Sequence, residues 1–66
     1  MTNTNTAIPN RIDAFILNRK YHHAKLGVKK RVKMRKLIAA DYRTAGLGNA
    51  EDFTTAWKRL EQEGVL

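Results

Sequence analysis

A chain of 66 residues that contains no cysteine has neither a disulfide nor a thiolate-bound metal to hold it together. At this length folding buries only about 60% of the surface exposed in the unfolded chain, and a lone core supplies about 3–5 kcal/mol. One domain is all that fits. Its stability must come from well-packed elements, from a partner copy or from a bound ligand, so a homodimer is among the expected states. Hydrophobic residues make up 42% of the chain, which separates it from disordered polyelectrolytes and predicts a packed core.

The hydrophobic residues recur with helical spacing. Pro9 suits a first helical turn, where its missing N–H costs nothing, and Asp13 follows where a carboxylate favours the helix dipole. This predicts a first helix from about Pro9 to the His22-His23 pair. At about 100° per residue, Ile8, Ile12, Phe15, Ile16 and Leu26 share one arc, with Ala14, Leu17 and Tyr21 outside it. Gly27 reads as a cap or loop residue.

Farther on, Met34, Leu37, Ile38, Tyr42 and Ala45 form a second arc, ended by Gly46 to Gly48. Lys30 and Arg31 interrupt that arc, which puts the start of the second helix near residue 32. A third helix is expected after Asn49, whose side chain suits an N-cap with Asp52 three residues on. Its apolar stripe is Ala50, Phe53, Ala56, Trp57 and Leu60, and Gly64 closes it. The expectation is an all-α, three-helix bundle over residues 8–66, preceded by a flexible tail at 1–7. The segment Val28 to Met34 leaves one alternative open, because its odd positions are basic and its even positions partly apolar: a short strand at 28–34.

The charge is +7, with a pI near 10.3, and it is unevenly distributed. Between Arg19 and Lys36 there are nine Lys and Arg residues and no acid, whereas the stretch from Glu51 onward is net acidic. This polarity predicts one anion-binding region on an ordinary scaffold. On a helix, Lys29, Lys33, Lys36 and Arg43 fall within about 80° of one another, opposite the apolar arc. Lys29 belongs to this stripe only if the helix extends that far; otherwise it joins Lys30 and Arg31 in a basic loop beside it. Arg31 and Arg35 carry guanidinium forks able to grip a phosphate or a guanine edge through two bonds. The polar side of the third helix offers Thr55, Lys58, Arg59 and Gln62, types that reach base edges, although Glu51 and Asp52 bring negative charge to its start.

Other chemistries find little support. There is no phosphate-cradling glycine loop, dinucleotide fingerprint, paired carboxylate motif or nucleophile with its base, so the chain is not expected to be an enzyme or to need a cofactor. His22 and His23 are adjacent and point about 100° apart on a helix, with no further ligands nearby, so no metal site is expected. No apolar run approaches the roughly 20 residues of a membrane span, and Met1 to Thr6 lacks the pattern of a signal peptide, which implies the cytoplasm.

The stretch Phe53 to Leu66 resembles the third helix of winged-helix domains, which closes on a Leu-x-x-x-Gly-apolar signature; Leu60, Gly64, Val65 and Leu66 occupy those places. Leu37 to Tyr42 stands where the preceding helix would be. The resemblance implies a helix-turn-helix fold with Thr55, Lys58, Arg59 and Gln62 on the recognition helix. A second resemblance, to ribbon-helix-helix proteins, makes Val28 to Met34 the strand that enters the major groove in a dimer, presenting Lys29, Arg31 and Lys33.

Two functions follow from these residues. The first is binding of duplex DNA through the basic segment 29–43, as a small transcriptional regulator or accessory factor. The second is an interaction protein or inhibitor of the kind phages encode, which docks the same basic face on an acidic protein. RNA binding ranks lower because most aromatics sit on the core arcs, and a membrane-surface role lower still because the apolar arc of the second helix is needed for the core.

Overall fold

The computed structural model of the chain describes residues 10–66. The tail expected at 1–7 and the places expected for Ile8 and Pro9 lie outside the described residues. The architecture is all-α: α1 (Arg11–Lys25), α2 (Arg31–Ala45) and α3 (Ala50–Gln62), with no strand among the described residues.

Each boundary has a local cause. α1 is capped by Asn10, whose side chain accepts a hydrogen bond from the Asp13 amide at 2.9 Å. Asn49 caps α3 in the same way, accepting from the Asp52 amide at 2.8 Å. α3 closes on Gly64, whose φ of 77° lets its amide reach the Glu61 carbonyl and the Val65 amide reach the Leu60 carbonyl. Leu26 follows the last turn of α1 as its C-cap and stands exposed, so it leaves the arc that the helical spacing gave it.

The strand alternative at 28–34 is overturned, because α2 begins at Arg31 with Lys30 as N-cap, close to the start expected near residue 32. A cation on an apolar arc does not stop a helix whose start lies at the surface, because its long side chain carries the charge out to water.

The core is built from Ile16 of α1, Ile38 and Tyr42 of α2, and Phe53, Ala56, Trp57 and Leu60 of α3. Ile12, Phe15, Met34, Ala39, Leu47 and Leu66 pack around it. Its aromatic rings form a continuous row. Phe15 meets Tyr42 edge-on at 6.2 Å between centroids, Tyr42 lies 5.0 Å from Phe53, and Phe53 lies 5.7 Å from Trp57. The Tyr42 hydroxyl donates to the Asn49 carbonyl at 3.0 Å, which ties the turn between α2 and α3 to the core. Ala45 and Ala50, placed on the apolar arcs by spacing, are exposed where those helices meet the turn.

Two acidic clasps fasten α1 to its neighbours. Asp41 of α2 accepts from Arg19 Nε at 2.9 Å and from His23 Nε2 at 2.7 Å, both on α1. Asp13 of α1, 3% exposed, accepts from Arg59 of α3 at 2.5 and 2.6 Å. No salt bridge among the described residues joins α2 to α3. α1 is therefore the hub, and the far side of the α2–α3 pair is left open.

Candidate functional site

The surface that stands out is α2 with the loop before it. Lys29, Lys30, Arg31, Lys33, Arg35, Lys36 and Arg43 are all exposed, and none of them forms a salt bridge with a described residue. Helical spacing divides them between two directions. Lys33, Lys36 and Arg43 share the outer face with Ala40, opposite the buried Ile38 and Tyr42. Arg31 and Arg35 turn toward α3: an Arg31 guanidinium nitrogen donates to the Leu66 carbonyl at 3.1 Å, and the Arg35 guanidinium lies 5.9 Å from the Trp57 ring centroid.

The start of α2 runs against the usual pattern of helix ends. Its N-cap, Lys30, makes no side-chain cap bond, and its first turn holds no acid. Four cations, Lys29, Lys30, Arg31 and Lys33, surround a terminus that already carries the positive end of the helix dipole. Such a terminus is destabilised by like charge and is relieved by an anion.

α3 presents a different face. Thr55, Lys58 and Gln62 are exposed together, but they share the helix with exposed Glu51, Asp52 and Glu61, and its C-cap is the exposed Glu63. The third helix thus offers polar groups without a net positive field. Arg59 is held by Asp13 and lies 3.7 Å from Glu63 Oε2. The Asp13 hydrogen bond is the chief reason its pKa is raised further still. Its guanidinium is engaged in the fold.

The two histidines separate. His22 is exposed, whereas His23 is buried against Asp41. Burial pushes the Asp41 carboxyl up, but hydrogen bonds from His23 and Arg19 and their charges outweigh it and hold the pKa below its ordinary value.

Spacing did not reveal a groove of about 600 Å³ between α2 and α3. Its apolar lining includes Val32, Met34, Ala39, Phe53 and Trp57. Val32 is 69% exposed. It was the available signal, an apolar residue off the arc of its helix. Comparison with protein-family models, curated proteins and solved structures finds no match to this chain.

Proposed function

We propose that this protein is a small DNA-binding domain that contacts the duplex backbone through α2 and the loop before it, serving as a transcriptional regulator or accessory factor in the cytoplasm. The observation that carries the reading is the set of exposed cations on α2, free of acidic partners, leading from an uncapped helix start along one outer face. Lys29, Lys30, Lys33, Lys36 and Arg43 serve as phosphate contacts. The small side chain of Ala40 lets a strand lie close between them. Phosphate at the start of α2 supplies the negative charge that its first turn lacks.

In this reading α2 positions the duplex and Thr55, Lys58 and Gln62 of α3 are the groups available for base edges, as the helix-turn-helix resemblance implies. Arg59 is left out because Asp13 holds it. The acids of α3 favour a lesser share for that helix in binding energy, which comes from phosphates and is nearly independent of sequence.

Fluorescence-anisotropy titration with labelled duplex DNA, single-stranded DNA and duplex RNA at several salt concentrations tests the proposal. Five phosphate contacts predict that log K falls with log salt at a slope of about −4 to −5 on duplex DNA. The double variant Lys33→Ala/Lys36→Ala should bind every duplex more weakly, with a slope shallower by about 2. Absence of binding at low salt, or an unchanged slope in the double variant, would sink the reading.

A further inference from the structure

The groove lies between α2 and α3, with Lys20 of α1 at its edge. Its floor is apolar, formed by Met34 and Ala39 of α2 with Phe53 and Trp57 of α3, and Val32 stands exposed at its edge. Its rim is basic: Lys20, Lys29, Arg31, Arg35 and Lys36 border it, against a single acid, Glu61. Two properties coincide here that a phosphate-binding face does not need together. A nucleic-acid backbone uses the cations and has no use for the apolar floor, whereas the apolar floor alone would not select for charge.

We propose that this groove docks an amphipathic helix of a protein partner, with aliphatic side chains on one face and glutamates or aspartates along its flanks. A helix is the shape that fits, because two helices already form the walls and a third laid between them buries an i, i+3, i+4, i+7 stripe. Charge complementarity sets its sign, since five cations on the rim call for acids flanking the apolar stripe. A second copy of this chain is a poor occupant. Each copy carries +7, and of its six acids Asp13, Asp41 and Glu63 already face its own cations. The proposal does not rest on DNA binding, although Lys29 and Lys36 border the groove and also belong to the phosphate contacts proposed above.

The test uses the full chain and a synthetic 18-residue helix of leucine and glutamate with leucines at i, i+3, i+4 and i+7. A scrambled peptide of the same composition and a lysine-for-glutamate version serve as controls. Trp57 is the only tryptophan, so its emission reports on the floor of the groove. The expected result is saturable binding of the acidic helix with a change in Trp57 emission, and little binding of either control. Val32→Glu, at an exposed position, and Arg35→Glu should each weaken binding about tenfold or more with the helical circular dichroism unchanged. Lys33→Ala/Arg43→Ala, on the outer face, should retain it while losing DNA affinity.

Three outcomes would overturn the proposal. The acidic helix binds no better than its scramble; Val32→Glu leaves binding intact; or sedimentation shows a dimer whose dissociation on dilution shifts the amide resonances of Val32, Ala39 and Trp57, which gives the groove to a second copy. A failure of DNA binding with the peptide result intact removes only the outer-face reading.

Discussion

Asp13 and Arg59 show how much a single pair can weigh in a domain of this size. The Asp13 side chain is 5% exposed and depends on Arg59, whereas Arg59 is 41% exposed and also lies near Glu63. Removal of the arginine leaves a buried charge without compensation. The asymmetry predicts that Arg59→Ala costs about 3 kcal/mol, at the low end for a buried pair because Arg59 is partly solvated, and that Asp13→Ala costs less. Against a core that supplies about 3–5 kcal/mol, the first change should leave a large unfolded fraction in urea titration at 25 °C. The double variant Asp13→Leu/Arg59→Met should recover most of the loss, because neither an unpaired charge nor a cavity remains. Asp41 makes a pH prediction of definite sign. Its folded-state pKa lies below the ordinary value of 3.8, so its contribution is present above that value and is lost as pH falls through the folded pKa. The Tm advantage of the native chain over Asp41→Asn should therefore shrink as pH falls below about 4.

At the scale of elements, α2 combines a poor start with a good core face. Its N-terminal cations oppose the helix dipole and no side chain caps it. Lys30→Asp supplies the missing cap and reverses one charge, which should stabilise the fold by about 1 kcal/mol and weaken polyanion binding in the same variant. Thermal unfolding and anisotropy titration read the two effects separately. The elements differ in how far the sequence discloses them. α3 is plain, since Asn49, the Phe53-Ala56-Trp57-Leu60 stripe and Gly64 all act locally. Arg31 blurred the start of α2 because periodicity counts a cation as polar and ignores its aliphatic stem. Burial of Asp13 and His23 was invisible, since their partners, Arg59 and Asp41, lie 46 and 18 residues away along the chain. The basic residues of the candidate site were legible as a charge run without acids. The groove was not, because its walls belong to two helices whose packing no single periodicity describes.

For the whole molecule, the clasp residues and the exposed cations of α2 are different side chains. Asp13 and Asp41 fasten α3 and α2 to α1, and Lys33, Lys36 and Arg43 project from the outer face of α2. Replacing these three cations by glutamate lowers the net charge from +7 to +1 and should abolish DNA binding. Tm should stay level or rise, because the repulsion among like charges falls. A drop of more than a few degrees in differential scanning calorimetry would show that the stripe takes part in holding the fold. The hub arrangement has a consequence for descent. Residues that maintain the scaffold and the cations on the outer face of α2 form separate sets, so drift in one places no demand on the other. A lineage of such chains can retarget the α2 face from one polyanion to another while Asp13, Asp41, Arg59 and the aromatic row stay fixed. Relatives are then to be sought by that internal pattern, with the surface left free to vary.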